Sequence, residues 1–109
     1  MKSLKFASDL VSKIISGEKT STWRLFDDKD LKVGDSLIFI NKESGEQFGT
    51  GVITSLVIKT LGTLSEADWE GHERFASDEE MYNIYRKYYG NNVGPDSEVK
   101  ILKFEFKVV

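Results

Sequence analysis

Two periodicities divide this chain. A period near 3.6 marks helices, and a period of 2 marks strands with one buried face. Leu10, Val11, Ile14 and Ile15 recur at helical spacing, with Ser8 as N-cap, Asp9 in the first turn and Gly17 as a left-handed C-cap. Met81, Ile84, Tyr85 and Tyr88 form a second helical stripe, expected in the core, while Tyr82 and Tyr89 edge a pocket. Ser77 with Glu80 three residues on is a capping box, so this helix is expected from about Asp78 to Tyr89, ended by Gly90. Strand patterns cover Lys2 to Ala7, Thr20 to about Leu25, Ser36 to Asn41, Phe48 to Lys59 and Val99 to Val108. Leu61 to Leu64 reads as a short further strand, and Ser65 caps a brief helix through about Trp69.

The connections carry turn chemistry. Phe26 to Asp30 is an acidic loop, Lys32 to Asp35 a turn, Lys42-Glu43-Ser44-Gly45 a hairpin turn, and Asn91 to Ser97 a loop holding the only proline. Gly49-Thr50-Gly51 suggests a bulge or barrel corner. In the last strand the alternation slips, because Val99 and Ile101 are odd whereas Leu102, Phe104, Phe106 and Val108 are even. A bulge between Ile101 and Leu102 reconciles the two halves. Several strands, two main helices and bulge signals predict an α+β, mainly β chain: a small β-barrel or curled sheet with two main helices at its rim.

Composition narrows the chemistry. The 109 residues suit one domain, and 39% hydrophobic with 30% charged residues describes an ordinary globule. No apolar run approaches the ~20 residues needed to span a bilayer, and Met1-Lys2-Ser3-Leu4 leads straight into a strand pattern, so no membrane association and a cytoplasmic location are expected. The absence of cysteine removes disulfides and thiolate chemistry, and the single His72 makes a histidine-based metal site a poor expectation. No cofactor is expected. A net charge of −3 disfavours a long nucleic acid or a DNA duplex. A small nucleoside or a short single-stranded RNA suits that balance better.

One stretch concentrates functional residue types: Gly17-Glu18-Lys19-Thr20-Ser21-Thr22-Trp23-Arg24. On a strand, Thr20, Thr22 and Arg24 share a face, and Lys19 at the strand mouth can bend inward. A lysine beside a hydroxyl is one way to activate a nucleophile, and an arginine beside both can hold an anion or a base edge. Trp23, on the opposite parity, is expected in the core or as a stacking platform. His72 is expected either to contact a base or to pack incidentally.

Gly17, Lys19 and Arg24 match the G-x-K-x-x-x-x-R signature of the ASCH domain, a small relative of the PUA RNA-binding fold. The turn Leu31-Lys32-Val33-Gly34-Asp35 leading into a strand also looks like that family, and the resemblance covers residues 1–109 as a single PUA-like domain. Gly17, Lys19, Thr20, Thr22 and Arg24 further match the pattern of the small bacterial amidohydrolases that deacetylate acetylcytidine. The resemblance implies Lys19 and Thr22 as catalytic residues together with a glutamate, Glu73, with Glu70 as the alternative. Gly17, Thr20 and Arg24 of the matched pattern are expected around the substrate; Trp23, which departs from the family inside the signature, and His72 are further substrate-binding candidates read from their residue types. As a base Lys19 must be neutral, its pKa brought from about 10.4 toward about 7–8 by burial and by Arg24. Two functions follow: a metal-free amidohydrolase of acetylcytidine-like substrates, or a non-catalytic RNA- or nucleotide-binding module in the same cleft.

Overall fold

The computed structural model describes residues 1–26 and 29–108; Asp27 and Asp28 of the acidic loop lie outside the described residues. The elements run β1 (Lys2–Phe6), α1 (Ser8–Ser16), β2 (Ser21–Leu25), β3 (Ser36–Asn41), β4 (Gln47–Thr60), α2 (Glu66–Trp69), α3 (Asp78–Tyr89) and β5 (Glu98–Val108). The strands form one curled half-barrel sheet in the order β1-β3-β4-β5-β2. β1 pairs in parallel with β3, and every other pairing is antiparallel. This is the expected α+β, mainly β architecture.

Two cores account for the broken alternation of β5. Leu102 and Phe104 join Leu4, Phe6, Leu37 and Phe39 in a cluster that also takes Ile14 of α1. Val99 and Ile101 join Trp23, Leu25, Met81 and Tyr85 in the other, against α3. Consecutive strand residues face opposite ways, so Ile101 and Leu102 serve different cores and β5 needs no bulge. The bulges lie in β4 instead. Thr54 is the extra residue between Ile53, opposite Phe104, and Ser55, opposite Lys103. Phe48 is the extra residue between Gln47, opposite Ile40, and Gly49, opposite Phe39, next to the glycines expected to mark a corner. Those glycines have a packing reason: a Cβ on Gly49 would sit 2.1 Å from the Phe106 ring, and one on Gly51 would sit 2.4 Å from the Glu105 carbonyl oxygen.

Three local expectations change. Leu61–Thr63 is a 3-10 turn rather than a strand. The N-cap of α1 is Ala7, because Ser8 is drawn away by the hairpin turn, its amide donating to Glu43 at 2.8 Å. Tyr88 is 57% exposed instead of core, since only Met81 and Tyr85 of its stripe reach the sheet. Ser77 caps α3 as expected, accepting from the Glu80 amide at 3.1 Å.

Candidate active site

Gly17 closes α1 in the left-handed region at φ 85°. The chain then doubles back, and the Lys19 amide donates to the Lys13 carbonyl at 3.0 Å. This turn directs the Lys19 side chain inward, where it is only 3% exposed. Thr20 lies just before β2 and its side chain is exposed, resting against Gly71 instead of sharing the wall with Thr22. β2 begins at Ser21, and its partner residues in β5 set the faces: Thr22 lies opposite Leu102, Trp23 opposite Ile101.

The segment between α2 and α3 is stapled to this strand entrance. The Gly71 carbonyl accepts from the amides of Thr20 and Ser21 at 2.8 and 3.1 Å, and the Ser21 hydroxyl donates to the Glu70 carbonyl at 3.1 Å. Gly71 is required there: its φ is 73°, and a Cβ would lie 2.0 Å from the Thr20 hydroxyl oxygen. The staple brings Glu73 to Lys19, with Oε1 2.5 Å from Nζ. Of the two glutamates left open, it is Glu73 that meets the lysine. Glu70 is exposed and points to Lys103, 3.7 Å away.

Burial pushes the Lys19 ammonium below the ordinary lysine range; Glu73 opposes this, and the Arg24 and Lys13 charges add to it. Burial would raise Glu73, but the neighbouring His72 and Lys19, with the hydrogen bond from Lys19, hold it below the usual carboxylate value. His72 is itself lowered to about 4, by burial first and by Lys19 second. It is therefore neutral at pH 7, and Lys19 is the cation that keeps Glu73 ionised. The His72 Nδ1 lies 2.7 Å from the Glu73 carbonyl oxygen; in the neutral ring Nδ1 donates and Nε2 is left as an acceptor. The imidazole stacks on Trp23, ring centroids 3.9 Å apart at 16°.

These residues surround a cavity of about 520 Å³, within the usual range for small-molecule sites. Thr22, Trp23, Arg24, His72 and Glu73 all line it, and Lys19 joins through Glu73; Gly17 and Thr20 are not among its lining residues. Trp23 thus does two jobs, filling a core and walling the cleft. Arg24 crosses from β2 to the other edge of the sheet, donating to the Lys5 carbonyl at 3.1 Å with its guanidinium 5.0 Å from the Phe6 ring centre. Tyr89 reaches the cleft as expected, whereas Tyr82 does not line it. Sequence reasoning missed Phe75, Tyr85, Lys5, Lys13 and Lys42 as lining residues. They come from five separate places in the chain, and no local pattern ties them to the signature. Among the described residues no group of His, Asp and Glu side chains is placed to hold a metal ion, and no helix is long and apolar enough to cross a membrane.

No family model matches the sequence, and no curated protein matches it. Solved structures do. A protein of Enterococcus faecalis assigned to the DUF984 family superposes with a TM-score of 0.77 at 20% identity, covering 92% of this chain and 71% of its own. The ASCH domain of Lactobacillus crispatus superposes at 0.72 and 18% identity, covering 99% and 80%. This chain has the ASCH fold. An ASCH protein of Zymomonas mobilis agrees at 0.64 and 16% identity over 94% of this chain and 65% of its own. In this version of the ASCH fold the cleft opens where β2, the end of β1, α1 and α3 meet, with the 72–75 segment as its wall.

Proposed function

We propose that this cleft takes up a nucleoside and hydrolyses an acyl amide on it, of the acetylcytidine type. The observation that supports this most is the buried Lys19–Glu73 pair, set against a cavity that also holds Thr22 and Arg24. Thr22 Oγ1 attacks the acyl carbonyl carbon, and its proton passes to Glu73, or to Lys19 once that lysine has handed its own proton to Glu73. The Arg24 guanidinium opposes the charge on the tetrahedral oxygen. Collapse breaks the carbon–nitrogen bond, the amino nitrogen takes the proton held by the pair, and the free nucleoside leaves. Water then attacks the threonyl ester, gives a proton back through the pair, and releases the acid with Thr22 restored. The Trp23, Phe75 and Tyr85 side chains form aromatic wall for the base.

The test is release of acetate from acetylcytidine, as nucleoside and as base, by the protein and by Lys19→Ala and Thr22→Ala. Turnover should fall by at least about 10³-fold in Thr22→Ala without loss of fold, the scale expected on removing a nucleophile. Near-normal turnover in that variant removes Thr22 from the mechanism.

One observation favours the non-catalytic alternative. A 2.5 Å contact with an ionised carboxylate favours the ammonium form of Lys19, the opposite of a free base, against the burial that lowers it. Binding of acetylcytidine or a short RNA without turnover would support that function.

A further inference from the structure

We infer that the mouth of this cleft is a phosphate subsite, so that a nucleoside carrying a phosphate is held more tightly than the bare nucleoside. The base-binding half rests on the function proposed above; the phosphate half stands on separate residues. The chain as a whole is acidic, at −3. Yet Lys5 at the end of β1, Lys13 in α1 and Lys42 in the β3–β4 turn all line the same cavity. Among the described residues none of the three forms an ion pair.

Among the described residues no acidic side chain of the lining forms an ion pair with them. Glu73 is taken by Lys19, which leaves Asp9 and Glu80 on the lining. Arg74, the other cation of that side, is engaged by Glu66 at 3.2 Å. The charge of Lys13 is felt inside the site, where it helps lower Lys19. Lys42 is set by the strand pairing, its amide donating to the Phe6 carbonyl at 2.8 Å, and its ammonium sits 5.4 Å from the Tyr88 ring centre.

Three like charges around one concavity repel each other and focus a positive field into it. A neutral nucleoside gives them no partner. A phosphate gives each ammonium a charge-assisted acceptor while its sugar and base reach the aromatic wall. The phosphate can be the terminal group of a mononucleotide or a diester within a strand, since both present the same oxygens.

The experiment is calorimetric titration, at low ionic strength, with cytidine, acetylcytidine, cytidine 5′-monophosphate, a cytidine tetranucleotide and inorganic pyrophosphate. The protein is compared with the triple variant Lys5→Gln/Lys13→Gln/Lys42→Gln, whose altered side chains are all exposed. The mononucleotide should bind about tenfold more tightly than cytidine, the worth of one charge-assisted hydrogen bond, and the gap should close in the variant and with added salt. A tetranucleotide tighter than the mononucleotide assigns the subsite to a diester; equal affinity assigns it to a terminal phosphate. Equal binding of cytidine and its monophosphate, or a gap that survives the triple substitution, overturns the subsite and leaves the amidohydrolase proposal intact. Lysine-dependent binding of pyrophosphate and nucleotides with no binding or turnover of acetylcytidine supports the subsite and overturns that proposal. No binding of any compound overturns both.

Discussion

Glu73→Gln deletes the charge against which Lys19 is buried while keeping the shape of the side chain. Lys19 is 3% exposed and Glu73 22%, so the ammonium left behind has little water to turn to. Removing one partner of a buried pair costs about 3–5 kcal/mol, and the partial exposure of Glu73 puts this case near 3 kcal/mol. For a domain of this size that is a fall in Tm of roughly 12 °C. The loss also depends on pH. Lys19 already lies below its ordinary 10.5, and without Glu73 it falls further. Between its folded value and 10.5 the unfolded chain binds the extra proton, so the variant should regain stability as pH rises through that window. Urea titrations followed by circular dichroism, at neutral pH and at about pH 10, measure both effects. Lys19→Met/Glu73→Gln removes both charges and should be more stable than Glu73→Gln alone. A single variant within about 0.5 kcal/mol of the parent, or a double variant no better than the single, would refute the account of a buried, mutually dependent pair.

The other tests are independent of this one. His72 is neutral in the fold with a pKa of about 4 against 6.5, so stability should fall as pH drops from 6.5 toward 4, by roughly 3 kcal/mol in all. Above about pH 5.5 the lowered carboxylates, whose ordinary values are 4.5 or below, add little to that slope, and His72→Phe, which keeps a ring on Trp23, should flatten it there; an unchanged slope refutes the assignment. Gly71→Ala forces a Cβ onto Thr20 at a φ of 73° and should cost about 2–4 kcal/mol in denaturant titrations, whereas a neutral effect would mean that the staple is slack. Ile101→Ala and Leu102→Ala should each cost about 2–5 kcal/mol, because each empties a different core; a mild effect at either would remove the second core from the explanation of β5.

What could be read from the sequence was local. Gly17, Ser77 and Gly90 set helix ends through backbone chemistry that needs no tertiary partner, and the strand from Ser36 to Asn41 has the bounds its alternation predicts. The signature itself was legible as residue types, and so was the glutamate pair of candidates. The choice between Glu70 and Glu73 was not, because it depends on a turn held by Gly71 against a strand some fifty positions earlier in the chain, a contact between segments that share no periodicity. The face of Thr20 was misread for a related reason: strand alternation applies only from Ser21, where pairing with β5 begins. In β5 the odd–even slip was a true signal attributed to the wrong cause, a bulge, since a strand buried on both faces has no polar side to alternate with.

β2 has one strand partner. Its five residues pair only with β5, Ser21 meeting Lys103 and Leu25 meeting Val99, so Thr22 and Arg24 have no sheet to stand on until residues 99–103 are in place. The β1–β3–β4 part of the sheet needs none of those pairings. Assembly of the cleft therefore depends on pairing between distant parts of the chain, with a large loop to close before any contact rewards it. A partly folded chain would hold a sheet without a working cleft, which ties any activity to completion of the fold.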